Sequence, residues 1–366
     1  MTGEPRFCTP ETGNCCHCPA LRLSLEKVRA GMNTSKTQEH STLPAGAIAS
    51  AFAHALDLAQ QWQGATAPNP PVGCVLLGVD GEILAAAAHQ RAGQPHAEAL
   101  AIAQSQSNGS FARIHTIIVT LEPCNHSGRT PPCAGVLLQT PAHHVWIGVR
   151  DPNPRVAGGG AEHLQRAGLT VHDLAELETG TTEELHRRAA RLLAPFVKHT
   201  QTGLPWVTLK QAISREGGMV PPAGQKTFTG PAALDLAHRR RKQADAVLTG
   251  SGTVLADAPD FSVRRVFDFQ NKQRHLVILD RRARVAPAYI AAAQSRGFLV
   301  SIETDITTAL TRLGAAGCLE VLVEAGAELT QSILAGGHWD EHVLIRQAAD
   351  PGADDLVTIR YRSTTT

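Results

Sequence analysis

The chain has 366 residues, of which 43% are hydrophobic and 18% charged, and its 34 Lys and Arg almost balance 33 Asp and Glu. That length suggests two or three domains and allows a sizeable core, while the near-neutral balance lacks the basic excess of a nucleic-acid binder. The eight cysteines are too few for a disulfide scaffold, no apolar run is long enough to span a membrane, and the N-terminus lacks a secretory layout. The reading is a cytoplasmic α/β protein acting on a small molecule, with neither nucleic acid nor membrane as partner.

Residues 1–45 are polar and aperiodic, and are expected to form a disordered tail. Cys8, Cys15, Cys16 and Cys18 crowd into it. Cys15 and Cys18 have the gap of a zinc knuckle around His17, but no second pair follows at a finger-like distance, and Met32 offers a later start. From Ile48 the apolar residues Ile48, Phe52, Leu56 and Ala59 recur at helical spacing, and residues 72–79 read as a buried strand. Asp80-Gly81 marks a hairpin into a strand over 83–88. A helix over 96–103, a strand over 114–121, a short helix over 133–138 and a strand over 144–149 follow. Helical stretches over 162–166 and 182–193 lead to a polar junction at 198–203. The alternation then restarts with strands over 206–213, 246–249, 276–279, 298–302 and 319–323 and a helix over 232–243, so a second α/β unit is expected. Cys74 and Cys318 read as buried strand residues.

The chemistry concentrates in His96-Ala97-Glu98 and in Glu122-Pro123-Cys124, with Cys133 eight residues further on. One imidazole and two thiolates suit zinc and leave its fourth tetrahedral position open, which is the mark of a catalytic site rather than a closed structural one. Glu98 is not needed as a ligand and can carry a proton from the attacking water to a departing amine. His-x-Glu followed by Pro-Cys is the signature of zinc deaminases. Either element alone is commonplace. Their joint placement near helix starts, where thiolates are favoured, makes the combination specific.

Residues 46–200 resemble the deaminase half of the bifunctional riboflavin-biosynthesis deaminase/reductases, within the cytidine-deaminase-like superfamily. The resemblance rests on Asn69-Pro-Pro-Val-Gly-Cys74, His89-Gln-Arg-Ala-Gly93, Pro95-His-Ala-Glu98, the run from Thr120 to Cys133, and Asp151-Pro-Asn-Pro154. Nucleoside and tRNA deaminases usually have two residues between their cysteines, whereas here eight intervene. The resemblance implies zinc-dependent hydrolytic removal of the 2-amino group of 2,5-diamino-6-(5-phosphoribosylamino)pyrimidin-4-one. Arg91 and Arg129 are apt for its phosphate, and Asn69 for the pyrimidine edge. Cys74 is expected in the core.

Residues 203–366 are similar to the reductase half of the same family, which implies a dihydrofolate-reductase-like domain. It would use NADPH to reduce the ribose of 5-amino-6-(5-phosphoribosylamino)uracil to a ribityl chain. The matching segments are Lys210-Gln-Ala-Ile-Ser214, Arg241, Asp245-Ala-Val-Leu-Thr-Gly250, Thr253-Val-Leu-Ala-Asp257, Phe261-Ser-Val-Arg264 and Val323-Glu-Ala-Gly326. By that pattern Ala212, Thr253, Asp257 and the loop Gly326, Ala327, Glu328, Leu329, Thr330, Gln331 and Ser332 contact NADPH. Arg241, Phe261, Arg264 and Glu324 face the phosphoribosyl substrate. No Gly-x-Gly-x-x-Gly fingerprint supports the cofactor; Gly250-Ser-Gly252 is a partial echo. The sequence departs from the family at Ser214-Arg-Glu-Gly217, Thr227, Gln225 and Arg281, and its tail is short by about a hairpin. These departures leave two alternatives: a deaminase with a degenerate, structural second half, or, less favoured, a nucleic-acid deaminase. Members of the family commonly form homo-oligomers, which is the expectation here.

Overall fold

The computed structural model describes residues 41–125, 132–152, 159–221, 224–225, 227–350 and 352–362. Cys8, Cys15, Cys16, Cys18 and Arg129 therefore lie outside the described residues.

Five strands form the first sheet: β1 (Gly73–Leu77), β2 (Ile83–Ala88), β3 (Thr116–Leu121), β4 (His144–Val149) and β5 (Thr170–Asp173), in the order β2-β1-β3-β4-β5. The β1–β2 hairpin turns at Gly81, whose φ of 78° lies in the left-handed region that glycine adopts without cost. β1 runs antiparallel to β3, and β3, β4 and β5 are parallel. Parallel strands have both faces covered, and every residue of β3 is buried. One face carries α1 (Ala45–Gln61) and α5 (Thr182–Thr202), with Ile48, Phe52 and Leu56 packed against Val75, Ile118 and Leu192. The opposite face carries α2 (Ala97–Ser107), α3 (Cys133–Leu137) and α4 (Gly159–Arg166), which close over Cys74, Ile117, Val119 and Ile147. α1 lies so close to β1 that a Cβ on Gly73 would sit 2.0 Å from the Ala55 carbonyl oxygen.

The second sheet has seven strands: β6 (Trp206–Ile213), β7 (Ala246–Gly250), β8 (Arg274–Leu279), β9 (Phe298–Glu303), β10 (Glu320–Glu324), β11 (Glu341–Arg346) and β12 (Leu356–Tyr361). Their order is β12-β11-β6-β10-β7-β8-β9. All neighbours are parallel except the terminal antiparallel pair β11–β12. The helices are α6 (Pro231–Gln243), α7 (Ser251–Asp257), α8 (Pro287–Ser295), α9 (Ile306–Ala315) and α10 (Ala327–Ala335). Val207, Leu209, Leu248, Val321 and Val323 form the largest core of this sheet with Leu310 and Leu313 of α9.

The two halves meet in one compact unit from Leu43 to Thr366. Trp62 stacks on Phe269 at 6.1 Å, Gln243 Nε2 donates to Gln63 Oε1 at 3.2 Å, and Arg91 Nη2 donates to the Gln270 carbonyl at 2.9 Å.

Three sequence expectations need correction. The polar junction at 198–203 is helical: α5 continues to Thr202 and ends on Gly203 at φ 71°. Its polar residues make contacts that periodicity does not report, Lys198 Nζ to Asp340 Oδ2 at 2.5 Å and His199 Nε2 with the Gly314 carbonyl at 2.9 Å. Cys318 is buried, but in the connection before β10 rather than in a strand. Finally, β5, β11 and β12 were not expected; the tail that reads as short still supplies the sheet's terminal antiparallel pair.

Candidate active sites

His96 is the residue immediately before α2, in extended conformation, and Glu98 sits in that helix's first turn at 3% exposure. Cys124 follows the end of β3, and Cys133 opens α3. Three elements thus converge at the carboxyl end of β3. His96 Nδ1 lies 3.2 Å from Cys133 Sγ and 3.7 Å from Cys124 Sγ, and the three ligand atoms all fall within 4.8 Å of one another. Tetrahedral zinc with N and S ligands separates its donors by roughly 3.3 to 3.8 Å. The donor set and its spacing therefore fit zinc, with room for one more ligand. Among the described residues no other group of three such side chains meets this condition.

The electrostatics agree. Cys124 is lowered to about 4 by the hydrogen bond from the Cys133 thiol, against the effect of burial, with His96 lowering it further. Cys133 is pushed up by its hydrogen bond to Cys124 and by burial. A bound dication would supply the positive charge that favours thiolate on both sulfurs. The Cys124 hydrogen bond raises His96, and burial raises the Glu98 carboxyl, a direction suited to an acid–base group working near neutrality.

Beside the trio stands a residue not assigned from sequence, His89. Its ring lies edge-on to that of His96 at 5.1 Å, and burial lowers its pKa. His89 Nδ1 is 3.1 Å from the Pro95 carbonyl and Nε2 is 3.2 Å from Asn69 Nδ2. A carbonyl only accepts, so Nδ1 carries the proton and Nε2 accepts from Asn69 Nδ2. The signal was present in His89-Gln-Arg-Ala-Gly93, but the pairing with Asn69 depends on the fold. Arg91, expected on a phosphate, is exposed and bonded to Gln270 of the second half.

In the second half the expected substrate residues do converge. Arg241 of α6 grips Glu324, at the end of β10, through Nε–Oε1 at 2.6 Å and Nη2–Oε2 at 2.8 Å. Lys210 Nζ on the neighbouring β6 reaches the same carboxylate at 3.4 Å. Burial would raise Glu324, yet Lys210 and then Arg241 hold it down at about 2. Phe261 is buried at φ 53°, with the Arg241 guanidinium 5.8 Å from its ring, a backbone conformation strained for a bulky residue. Arg264 pairs with Asp260 at 2.5 Å, and its backbone N–H donates to His238 Nδ1 at 3.1 Å. Sequence reasoning quoted Lys210 without giving it a role and did not single out His238.

The expected cofactor residues divide. β7 and β10 are adjacent and parallel, and lead directly into α7 and α10, so their following turns open side by side at the carboxyl edge, where ligands of such sheets bind. Thr253 Oγ1 accepts from Gly326 N–H at 3.0 Å and ties these turns together. Gly252 and Gly326 are exposed, open space surrounds a Cβ on Gly252, and Arg284 Nη2 donates to Ser251 Oγ at 2.8 Å beside them. Exposed turn backbone next to a guanidinium fits a dinucleotide pyrophosphate. Asp257, Ala327, Glu328, Gln331 and Ser332 are exposed on the same two helices, whereas Leu329 and Thr330 turn inward, and Ala212 packs with Ala233 and Ile345.

Two family models match this chain: the cytidine and deoxycytidylate deaminase zinc-binding region over residues 46–149, and the RibD C-terminal domain over residues 205–347. The riboflavin biosynthesis protein RibD of Escherichia coli (strain K12) is 35% identical over 327 residues, covering 80% of this chain and 85% of its own. Its counterpart from Haemophilus influenzae is 36% identical over 321 residues, covering 79% and 83%. Among solved structures, Acinetobacter baumannii RibD (form 1) aligns with a TM-score of 0.70 at 31% identity, covering 85% of this chain and 89% of that one. The diaminohydroxyphosphoribosylaminopyrimidine deaminase/5-amino-6-(5-phosphoribosylamino)uracil reductase of Thermotoga maritima aligns with a TM-score of 0.71 at 28% identity over the same shares.

Proposed function

The chain belongs to the RibD family of riboflavin-biosynthesis proteins, and from that premise we propose which of its residues perform each of the family's two reactions. It is a zinc-dependent pyrimidine deaminase joined to an NADPH-dependent reductase. A cytidine-deaminase-like domain precedes a reductase domain. We divide the chain into an N-terminal segment that ends before Leu43, a deaminase domain from Leu43 to the end of α5 at Thr202, and a reductase domain over 203–366.

In the deaminase domain His96, Cys124 and Cys133 would hold zinc, which would supply the Lewis acidity that activates the attacking water near neutral pH. Glu98 takes the proton of the attacking water and delivers it to the amine leaving the pyrimidine. Asn69, oriented by His89, accepts a hydrogen bond from the pyrimidine edge. Arg91 and Arg129 are assigned to the phosphoribosyl group. The observation that carries this reading is the convergence of the imidazole nitrogen and the two sulfurs within 4.8 Å, with the buried Glu98 two residues from the histidine.

In the reductase domain a bound NADPH would supply the hydride. Thr253, Asp257, Gly326, Ala327, Glu328, Gln331 and Ser332 line the turns that would hold it, while Leu329, Thr330 and Ala212, turned into the core, support those turns from behind. Arg241, Arg264, Phe261 and Glu324 hold the phosphoribosyl end of the substrate. Lys210 joins them, because its Nζ shares the Glu324 carboxylate. The intact Lys210–Glu324–Arg241 cluster favours a working reductase despite the departures at 214–217.

No described helix is long and apolar enough to cross a membrane. We place the protein in the cytoplasm, as a homo-oligomer; the exposed Leu356, Val357 and Ile359 on the edge strand β12 support association. The decisive experiment supplies purified protein first with the diaminopyrimidine and then with its deaminated product. Zinc by elemental analysis, ultraviolet loss of the first substrate and NADPH oxidation with the second are expected. Deamination without NADPH oxidation would remove the reductase assignment.

A further inference from the structure

Cys124 is bracketed by two residues that both bind the start of α4, a helix that contributes no ligand. Glu122, 4% exposed, accepts three backbone N–H groups: Gly160 at 3.2 Å and Ala161 at 3.1 Å on Oε1, and Asp151 at 3.1 Å on Oε2. Asn125 Nδ2 donates to the Gly159 carbonyl at 2.9 Å. Between them, the Pro123 carbonyl oxygen lies where a Cβ on Gly160 would be, 1.9 Å away. Only a glycine at 160 lets the helix seat against this segment.

We propose that Glu122, clamped by the first turn of α4, is a positioning residue that fixes Cys124 for metal binding. Two α4 N–H groups have no partner within their own helix and point at the Glu122 carboxylate, an arrangement favoured by both hydrogen bonding and the helix dipole. The carboxylate is a single residue away from the ligand, and that residue is Pro123, whose ring fixes φ and restricts its predecessor to extended backbone. The segment from anchor to thiolate therefore has few free torsions. On its far side Cys124 is held by α3: its carbonyl accepts Ala134 N–H at 3.1 Å and its sulfur lies 3.4 Å from Cys133 N. With α3 on one side and the Glu122 clamp on the other, the sulfur is placed opposite His96 Nδ1 before any metal arrives. Positions of this kind typically cost 10–100-fold in metal affinity when changed.

This inference rests on the zinc reading of the trio, and the test separates the two. Zinc affinity is measured by competition with a chromophoric chelator, the cobalt-substituted protein is examined for its ligand-field and thiolate charge-transfer bands, and the metal-free forms are melted by circular dichroism. Wild type that binds neither ion would overturn the zinc reading itself. With wild type binding, Glu122→Gln, which sets an amide N–H against a backbone N–H, is expected to weaken zinc roughly 10–100-fold and alter the cobalt bands, with native secondary structure. Gly160→Ala, which displaces the clamp without changing charge, should shift both readouts the same way, and Glu122→Asp should recover part of the loss. Wild-type affinity and bands in both Glu122→Gln and Gly160→Ala would overturn the proposal. So would lower stability with unchanged zinc affinity, or a Glu122→Gln protein unfolded with and without metal, since either assigns Glu122 to the fold alone.

Discussion

Replacing Glu324 with Gln tests the reductase site and the electrostatics that hold it. In the folded protein Lys210 and Arg241 keep this fully buried carboxyl at about 2, against an ordinary 4.5. Moving a carboxyl by that much is worth about 3 kcal/mol of folding free energy. Because the folded value is depressed, the contribution is complete above the unfolded pKa, at pH 5 and higher, and is lost as pH falls from about 4.5 toward 2. The Gln variant keeps the volume and some hydrogen bonding, but leaves two cations facing each other in a buried site, the costly way to break such a cluster. Urea unfolding followed by circular dichroism should show the variant less stable by about 3 kcal/mol at pH 7, with the gap closing at acid pH. NADPH oxidation should fall sharply while deamination persists. Other carboxylates titrate in the same window, so the difference between the two proteins is the informative quantity. A gap that stays constant from pH 5 to pH 3, or a variant as stable as wild type at neutral pH, would refute this account.

The remaining expectations bear on the metal trio and the first sheet. Glu98→Gln leaves all three ligands in place, so zinc content should be unchanged while deamination slows about 10²–10⁴-fold and NADPH oxidation with the deaminated product continues; normal deamination would dispose of the proton-carrier role. Cys133→Ser should lose zinc on dialysis, read by elemental analysis, because the His96 and Cys124 donors that remain are one too few for a tight site. Gly73→Ala drives a methyl into the Ala55 carbonyl, 2.0 Å away, and should cost about 3 kcal/mol, seen as a lower thermal midpoint; an unchanged midpoint would mean that α1 can shift freely on β1.

The parts of the molecule legible in the sequence are those whose cause is local. His96, Cys124 and Cys133 announce themselves by ligand type, and the elements that present them by short-range periodicity and a hairpin turn at Gly81. Even there the reading assigned nothing to Glu122, because it acts on α4 through contacts 38 and 39 residues away that no periodicity encodes. The reductase site is further removed: Lys210 and Arg241 reach Glu324 across 114 and 83 residues. They meet because β10 lies beside β6 and α6 lies across them, and strand order is a property of the sheet, not of any strand. The helical course of 198–203 was hidden for a related reason. Lys198 and His199 read as junction residues by polarity, yet each is satisfied by the second half, at Asp340 and Gly314. Polar residues on a bridging helix are indistinguishable from linker until their partners are known, so the tertiary contacts that join the two halves also conceal where the first half ends.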